Sequence, residues 1–473
     1  MNSISNPIQE HEKVNLGRRR FCQQTLVGAA GLITAPFYSC STQKSESNQT
    51  NILLIVSDDL GLQTGCYGDS IATTPNLDKL AEEGVCFQNA FVTHSSCSPS
   101  RSSILTGLYP HQNGQIGLAH LGYAMHSSFP TMPAILKKAG YTTGIIGKLH
   151  VIAPKDIFKF DWGAVSDYSA PNQIITPDTG DMKDTRDVTK VAELAGSFFR
   201  KSRSSRLPFF LMVNYIDPHL PFIDQEGGIP PDVLSSQDVE ALPFQPPGPQ
   251  PDLQNVASYY NCVNRIDTGI GLLLEELEKS GLFETTAIIF ISDNGPPFPR
   301  AKATCLEAGV QIPFIIKWPG CTSSGMASDD FVSTIDLLPT VISGTNINYK
   351  LDTPGRSLIE ILQGKKPVWR ETICTEFTAH APQEFSPKRA IRNERYKLIH
   401  NLLPELENGV AMELYDLEDD PYEFDNLIDQ PEYASIQSQL TEQLLQWRID
   451  TDDPLLDEAQ LMQLWETHKA MIQ

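Results

Sequence analysis

The sequence predicts an α/β protein in which a mostly parallel β-sheet is sandwiched by helices, followed by a smaller C-terminal α+β subdomain that contains an antiparallel sheet. From Asn51 onward, short apolar runs rich in Ile, Val and Phe alternate with helical patterns, which is typical of a parallel sheet covered on both faces. After about residue 345 the elements become shorter, which is typical of antiparallel strands. A chain of 473 residues is long enough to bury a large core.

Four apolar runs are predicted as strands of the parallel sheet. They are "NILLIVSDD" from Asn51, "YTTGIIG" from Tyr141, "LPFFLMVNYIDPH" from Leu207 and "TAIIFISDNG" from Thr286. Each run is short and rich in apolar or β-branched residues, as expected for strands buried on both faces. The sequence therefore supplies at least four candidate strands for one parallel sheet.

Helices are predicted over residues 75–84, 131–140 and 259–280. The first has Pro75 near its start and Gly84 at its C-terminal end, where these residue types are favoured. The third is amphipathic, with an apolar side formed by Val263, Ile266, Ile270, Leu273, Leu274 and Leu277. Beyond residue 345, "ETICTEF", "RAIRNERYKLIHN" and "ELYDL" predict the antiparallel sheet, and a closing helix is predicted around Ile436 to Trp447. We therefore expect an α/β domain over 51–345 and a C-terminal subdomain over 346–473.

Residues 1–40 predict an export signal. The basic cluster Arg18 to Arg20 precedes an apolar run, Leu26 to Ala35, that is too short to span a bilayer and suits the apolar segment of a signal peptide. Arg18 to Phe21 also resembles a twin-arginine signal. Cys40 is a candidate for lipid attachment, although Phe37 fits the usual lipid-attachment pattern poorly. The expected location is the periplasm or, for a lipoprotein, the outer membrane.

Composition excludes some classes of protein. The net charge of −22 makes nonspecific nucleic-acid binding unfavourable, so an anionic substrate would need positive charge concentrated in its site. Nine cysteines are present, two of them in the signal region, and no Cys-x-x-Cys pair occurs. Neither a zinc knuckle nor a disulfide framework is therefore indicated. The oligomeric state is left open by the sequence.

Polar side chains follow each of the four predicted strands. Because ligands bind beyond the carboxyl ends of strands in open α/β sheets, these groups are expected to converge on one crevice. The groups are Asp58 and Asp59, Lys148 and His150, Asp217 and His219, and Asp293 and Asn294. An aspartate after a strand is more often a turn or cap residue, but four such groups together favour a site.

The chemistry of this set indicates an oxyanion substrate. Asp58, Asp59, Asp293 and Asn294 supply only oxygen ligands, which select Ca²⁺ or Mg²⁺ over zinc or copper. Lys148, Arg101 and Lys302 add positive charge, and the histidines His150 and His219 can move protons near neutral pH. A divalent cation beside basic side chains suits sulfate or phosphate.

Two signatures give the chain a resemblance to the type I, formylglycine-dependent sulfatases of the alkaline-phosphatase superfamily. The first is Cys-x-Pro-x-Arg followed by Leu-Thr-Gly, found at 97–101 and 105–107. The second is Gly-Tyr-Thr-Thr at 140–143 followed by Gly-Lys-Leu-His at 147–150. Within the family, "CSPSRSSILTGLYPHQNG", "TGIIGKLHV", "DPH" and "SDNGPPFP" look most like the heparan N-sulfatases (N-sulfoglucosamine sulfohydrolases).

The resemblance implies an alkaline-phosphatase-like fold and a hydrolase that releases sulfate from sulfated glycans, with an N- or O-sulfated amino sugar of heparan type as the expected substrate. It implies that a formylglycine-generating maturase oxidises Cys97 to formylglycine, whose hydrated diol attacks sulfur. One Ca²⁺ per subunit would then be bound by Asp58, Asp59, Asp293 and Asn294 and would contact the modified Cys97.

The resemblance also implies roles for the basic residues. Arg101 and Lys148 would hold the diol, and His219 and Lys302 would contact the sulfate and help protonate the leaving group. His150 would take a proton from the second hydroxyl, so that sulfate departs as the aldehyde re-forms. A serine ester would instead require water to attack sulfur, which explains a cysteine precursor among serines.

Two residues carry weaker expectations. Many family members have Glu-Gly-Gly-x-Arg-x-Pro after the basic residue, whereas Ala308 and Gln311 depart from that pattern here, so Arg300 competes with Lys302. His380 in the C-terminal subdomain is a candidate contact to the sugar. Two alternative functions stay open: a formylglycine-dependent phosphonate or phosphate ester hydrolase, and a catalytically silent glycan-binding relative.

Replacing Cys97 with alanine (Cys97→Ala) is expected to abolish sulfate release while leaving folding intact, because Cys97 is the expected precursor of the nucleophile. Sulfate assayed by ion chromatography, together with a thermal unfolding curve, measures both properties. Appreciable turnover by the folded variant would contradict the assignment.

Overall fold

An eight-stranded sheet runs through the α/β part of the chain in the computed structural model, which describes residues 49–153, 157–165, 185–246, 252–322, 325–381 and 383–472. The predicted export signal over 1–40, with Cys40, lies outside the described residues. Within the described ranges, no helix combines the length and apolarity needed to cross a membrane.

The strands before residue 345 are, in chain order, β1 (Asn51–Ser57), β2 (Val85–Phe87), β3 (Ala90–Phe91), β4 (Thr142–Gly147), β5 (Trp162–Val165), β6 (Phe209–Asn214), β7 (Thr286–Ser292), β8 (Phe314–Lys317), β9 (Met326–Ser328) and β10 (Val332–Ser333). The large sheet has the order β5-β4-β6-β1-β7-β8-β2-β9, and β3 pairs separately with β10. Strands β5, β4, β6, β1 and β7 are mutually parallel, whereas β8 is antiparallel to both of its neighbours. The predicted mostly parallel sheet is therefore confirmed.

The helices are, in chain order, α1 (Pro75–Glu83), α2 (Cys97–Thr106), α3 (Pro110–Asn113), α4 (Met132–Lys138), α5 (Val188–Ser205), α6 (Leu253–Lys279), α7 (Glu307–Val310), α8 (Leu337–Gly344), α9 (Ile359–Leu362), α10 (Ala434–Asp450) and α11 (Glu458–Ile472). The predicted helix over 259–280 begins earlier, at Leu253, because the Asp252 side chain accepts hydrogen bonds from the backbone N–H groups of Gln254 and Asn255.

Alternate side chains of each central strand enter different cores, as the period of two in a strand requires. Ile52, Leu54 and Val56 pack in the core that also contains apolar residues of α2, α4 and α8. Leu53 and Ile55 pack in the core that contains those of α1, α5 and α6. Helices therefore cover both faces of the sheet, and α2 lies on the first of them.

The four predicted strands with polar carboxyl ends are neighbours in the sheet, in the order β4-β6-β1-β7. Their last residues are aligned, because Ser57 pairs with Ser292 and Asn214 pairs with both Val56 and Gly147. The residues that follow these strands therefore leave the sheet at one edge, side by side.

The C-terminal residues form a four-stranded antiparallel sheet of β11 (Ile373–Ala379), β12 (Phe385–Arg392), β13 (Tyr396–Asn401) and β14 (Met412–Asp416) in sequential order. The predicted closing helix is α10, whose Leu440 and Leu444 pack on this sheet. Strand β11 meets the segment before Cys97, since the Glu376 N–H donates to the Thr93 carbonyl at 2.8 Å. The small sheet therefore adjoins the crevice.

A buried ion network ties the small sheet to the C-terminal helices. Arg389 Nε and Nη2 each lie 2.9 Å from Asp453, and Arg389 Nε lies 3.6 Å from Glu376. Arg389 and Glu376 are completely buried, and Asp453 is nearly so. The positive charge of Arg389 thus offsets the negative charges of two carboxylates that are buried away from solvent.

Replacing Arg389 with methionine is expected to cost about 3 kcal/mol of unfolding free energy, because it removes a buried cation shared by two buried carboxylates and leaves Asp453 paired, among the described residues, with Arg448 alone. Arg200→Met is the matched control, since Arg200 pairs with Glu276 at the surface with 65% of its side chain exposed. Denaturant unfolding midpoints measure both changes. Equal shifts in the two variants would contradict the argument.

Candidate active site

Helix α2 begins at Cys97, and all ten of its residues are buried. The preceding Ser96 is extended, so the chain turns sharply into the helix at the crevice. Cys97 Sγ lies 3.3 Å from Asp58 Oδ1, 3.9 Å from Asp59 Oδ1 and 3.4 Å from Lys302 Nζ. The N-terminal end of a helix favours negative charge that develops nearby. The structure therefore places Cys97 among charged groups at the edge of the large sheet.

Three carboxylates and three cations surround Cys97. Asp58 is bound by Lys148 Nζ and lies 3.6 Å from Arg101 Nη2. Asp293 Oδ2 accepts a hydrogen bond from Arg101 Nε at 2.7 Å. Lys302 Nζ lies 2.7 Å from the Asp59 carboxylate. The three aspartates and Arg101 are completely buried, which makes this a desolvated network of charges.

The backbone is shaped for these contacts. Asp59 adopts a left-handed conformation with φ of 66°, and His150 does so with φ of 54°. The Asp59 N–H donates to Asp293 Oδ1 at 3.1 Å, which holds the loop after β1 against the loop after β7. Such conformations are uncommon outside glycine and cluster at functional sites. Both residues belong to the set predicted from the strand ends.

The aspartates differ in their affinity for protons. Burial alone would raise the pKa of Asp58, but the positive charges of Lys148, His219 and Arg101 outweigh it and hold that pKa well below its usual value. Burial, together with repulsion from Asp58, raises the pKa of Asp293 to about 7. A further cation near these oxygens would therefore lower the energy of the ionised state.

The thiol of Cys97 is a weak acid in this environment. Burial, reinforced by the charge of Asp58, raises its pKa far above the usual value despite Lys148 and Lys302. A thiolate is the nucleophilic form of cysteine. The unmodified side chain is therefore held in its unreactive form at neutral pH.

Three histidines line the crevice. His150 is buried, and burial with the nearby charge of Lys148 lowers its pKa well below the usual value. His219 Nε2 lies 3.8 Å from Asp59 Oδ2, with 32% of its side chain exposed. His380 Nδ1 lies 2.7 Å from Ser96 Oγ, one residue before Cys97. Burial, followed by the charge of Lys302, lowers the pKa of His380 to about 3, so its imidazole is neutral.

The structure separates Lys302 from its competitor Arg300. Lys302 contacts both Asp59 and Cys97, whereas Arg300 Nη2 donates to the carbonyl of Tyr422 at 2.9 Å and its guanidinium lies over the Phe424 ring. Arg300 thus faces the C-terminal residues. Lys302 is the basic residue of this loop that lies in the crevice.

The oxygen donors fit a hard divalent cation. Oδ1 of Asn294 is buried and, among the described residues, accepts no hydrogen bond. Its Nδ2 donates to Asp59 Oδ1 and to the Gly295 carbonyl, which fixes the orientation of the amide. Ligand atoms of Asp58, Asp59, Cys97 and His219 all lie within 4.8 Å of one another. Asp293, by contrast, is engaged by Arg101. Among the described residues around Cys97, three carboxylates balance three cations, so a divalent cation would give this set a net positive charge suited to an oxyanion.

The structure adds three polar residues that the sequence patterns did not identify. Asn214 Oδ1 accepts from Arg101 Nη1 at 2.9 Å, and Asn214 ends β6, where the strand-end rule could have found it. Ser96 holds His380, and His120 Nδ1 lies 2.9 Å from His150 Nε2. No local pattern marks Ser96 or His120, since their partners come from distant parts of the chain. Asp217, which was predicted, is held between Arg186 and Arg265 behind the crevice.

Comparison with known proteins gives two family matches. Residues 50–347 match the Sulfatase family, and residues 301–450 match the family described as N-sulphoglucosamine sulphohydrolase, C-terminal. Human N-sulphoglucosamine sulphohydrolase is 32% identical, over 85% of this chain and 91% of its own length.

Solved structures agree in fold. A protein determined in complex with its substrate D-glucosamine-2-N,6-O-disulfate superposes with a TM-score of 0.66 and 22% identity, covering 86% of this chain and 98% of the other. The phosphonate monoester hydrolase of Agrobacterium radiobacter superposes with a TM-score of 0.65 and 22% identity, covering 85% of this chain and 96% of the other. At these identities the likeness concerns the fold alone, which is compatible with more than one oxyanion ester.

Calcium added after chelator treatment is expected to raise the unfolding temperature, because the cation binds the folded site and offsets repulsion among buried carboxylates; saturation a hundredfold above Kd is worth about 2.7 kcal/mol. Asn294→Ala should reduce this stabilisation, since it removes an oxygen ligand without unpairing a charge. Differential scanning fluorimetry measures the shift.

Glu284→Gln controls for calcium bound loosely at the acidic surface, because Glu284 is exposed and precedes β7, at the opposite end of that strand from Asp293 and Asn294. The cation assignment would fail if Asn294→Ala retained the full calcium-dependent shift, or if Glu284→Gln lost it.

Proposed function

The chain belongs to the sulfatase family and is a sulfatase, and we propose that it releases sulfate from amino sugars of heparan type, with N-sulfated glucosamine as its preferred substrate. The observation that carries the proposal is the environment of Cys97, whose Sγ lies within 3.4 Å of both Asp58 and Lys302 at the start of helix α2. The proposal includes conversion of Cys97 to formylglycine by a maturase and binding of one Ca²⁺ per subunit.

The state of Cys97 supports a precursor role. A buried thiol whose pKa is raised makes a poor nucleophile, and serine at this position would leave a sulfate ester that only water could cleave. Formylglycine, once hydrated, would supply one hydroxyl to attack sulfur and a second whose loss of a proton lets sulfate leave. The surrounding residues then need to orient this side chain, neutralise charge and move protons.

The basic side chains of the crevice lie at different positions around Cys97, so we assign them different roles. Lys148 and Arg101 lie against Asp58, next to Cys97, where they would orient the modified side chain and offset negative charge. Lys302 lies 3.4 Å from Cys97 Sγ and, with the partly exposed His219, would contact the sulfate group and the leaving group. His150 is neutral and buried, as a base that accepts a proton from residue 97 requires.

Calcium would be held by oxygen atoms of Asp58, Asp59, Asp293 and Asn294. Bound there, it would act as a Lewis acid on oxygens of the sulfate and of residue 97. The unpartnered Oδ1 of Asn294 and the raised pKa of Asp293 support a cation at this position. For Asp293 to bind it, its carboxylate would have to share its charge between the cation and Arg101.

The preference for an N-sulfated sugar draws its support from the C-terminal half of the chain. The family match over 301–450 bears the name of N-sulphoglucosamine sulphohydrolase and includes Lys302 and His380. His380 is held by Ser96 beside the nucleophile position, and its neutral imidazole suits a hydrogen bond with a sugar hydroxyl. We propose His380 as a contact to the sugar.

Location is a separate proposal. The basic cluster at Arg18 to Arg20 followed by a short apolar run supports export to the periplasm, with Cys40 as a candidate lipid anchor to the outer membrane. Sulfated glycan fragments are the substrates that an exported sulfatase would meet.

A substrate panel tests the proposal on protein matured in a host that supplies the maturase. The panel contains N-sulfoglucosamine, N-acetylglucosamine 6-sulfate, an aryl sulfate and a phosphonate monoester, with Cys97→Ala protein as the blank. We expect kcat/KM for N-sulfoglucosamine to exceed that for the phosphonate by at least about a hundredfold, since the pocket would distinguish the two by polar contacts.

Faster turnover of the 6-sulfate than of the N-sulfate would retain a sulfatase but overturn the proposed preference. Phosphonate turnover above both sulfates would favour the alternative of a phosphonate hydrolase, which the shared fold permits. Release of no sulfate, together with an unoxidised Cys97 in protein from the native host, would favour a silent glycan-binding relative.

A further inference from the structure

A pair of histidines links the buried side of the crevice to the surface. His120 lies in a short 3-10 helix, Ala119–Leu121, and its Nδ1 is 2.9 Å from His150 Nε2. The two rings are nearly parallel, at an interplanar angle of 16° with centroids 5.2 Å apart. His150 is 6% exposed, whereas His120 is exposed. The pair therefore forms a short path from a buried proton acceptor to water.

The segment that carries His120 is fixed to the site. The Ala119 N–H donates to Ser98 Oγ in helix α2 at 3.0 Å, and the Leu118 N–H donates to the His380 carbonyl at 3.3 Å. Gly122 ends the short helix with φ of 93°, a conformation that glycine adopts without strain. His120 is therefore held relative to Cys97 and His380 by the backbone contacts of the two residues that precede it.

The hydrogen bond between the His120 and His150 rings restricts which ring nitrogens can carry a proton. A neutral imidazole carries one N–H, so only one of the two facing nitrogens donates. If His120 donated, the proton of neutral His150 would be on Nδ1, and that nitrogen could not accept another. If His150 Nε2–H donates to His120 Nδ1, then His150 Nδ1 carries a lone pair. Only the second arrangement leaves His150 able to act as a base.

A proton that stayed on His150 would be unfavourable. Burial and the charges of Lys148 and Arg101 oppose an imidazolium there, as the lowered pKa of His150 indicates. A base in this position can act in every turnover only if the proton it accepts is transferred to solvent. His120 is exposed and its Nδ1 faces His150 Nε2, so it provides a path for that transfer.

We propose that His120 is a positioning residue that fixes His150 in its base-competent tautomer and relays its proton to solvent; this rests on the proposed role of His150. When His150 Nδ1 takes a proton from the hydroxyl of residue 97, its Nε2 proton passes to His120 Nδ1. His120 then releases its own Nε2 proton to water. Each ring gains one proton and loses one, so the buried ring ends neutral. Once sulfate has left, water that enters the crevice takes the Nδ1 proton of His150, while His120 takes a proton from solvent on Nε2 and returns its Nδ1 proton to His150 Nε2, which restores the starting arrangement.

The first test needs no turnover. In ¹⁵N-histidine-labelled Cys97→Ser protein, imidazole ¹⁵N spectra assigned with His120→Ala and His150→Ala variants report which nitrogen of His150 carries the proton. We expect His150 in the Nε2–H form while His120 is present, and a mixture of tautomers in the His120→Ala background. An Nδ1–H form, or the same tautomer with and without His120, would overturn the proposal.

The second test measures the relay in matured enzyme. His120→Ala is expected to lower kcat for sulfate release by at least about tenfold, with KM changed less than about twofold. The loss is smaller than the roughly 10²–10⁴-fold typical of a direct acid or base, because His120 acts through His150. Imidazole added to the buffer should restore part of the lost kcat, which a merely structural defect would not allow. Unchanged kcat, or a loss that imidazole does not restore, would overturn the relay.

His126→Ala is the matched control, because His126 is an exposed histidine of the same loop whose Nε2 bonds to the Gln112 carbonyl. It should change neither kcat nor the response to imidazole, and a rescue equal to that of His120→Ala would overturn the relay. If wild-type protein releases no sulfate, the proposed function fails, while the spectra still decide the state of the histidine pair.

Discussion

Three aspartates buried at one edge of a parallel sheet constrain the rest of the crevice. Ionised carboxylates removed from water are unstable unless cations or hydrogen-bond donors lie close to them. Here Lys148, Arg101 and Lys302 supply that compensation from the end of β4, from helix α2 and from the loop after β7. Cys97 lies where these three parts of the chain meet. Burial and the charge of Asp58 suppress its thiolate, and the network of carboxylates and cations would accommodate both a divalent cation and an oxyanion.

The part of the site that could be predicted is the part that the sheet determines. In parallel strands the carboxyl ends share one edge, so buried runs followed by Asp58 or by Asp293 were sufficient to place those residues together. The order of the strands in the sheet could not be predicted from the sequence. The structure shows that β4, β6, β1 and β7 are neighbours with aligned ends. The antiparallel C-terminal sheet was also predicted from its short strands, and it brings His380 to Ser96.

The remainder depends on tertiary contacts that no local pattern encodes. Helices α5 and α11 were not identified, and α2 was noticed for its motif but not for its conformation, since its serine-rich sequence carries little amphipathic signal. Lys302 and Arg300 are two residues apart and chemically alike, yet one faces Asp59 and the other the carbonyl of Tyr422. His120 became significant only through its contact with His150. The export signal over 1–40 and the boundary at residue 345 stay predictions.

The claim on which the account depends is that residue 97 does not function as a cysteine. Mass spectrometry of the proteolytic peptide containing residues 97–101, from protein purified from its native host, measures this directly. The account predicts a side chain with oxygen in place of sulfur and two fewer hydrogens, which reacts with hydrazide reagents as an aldehyde does. A peptide with an intact thiol, from protein that nevertheless releases sulfate, would contradict it.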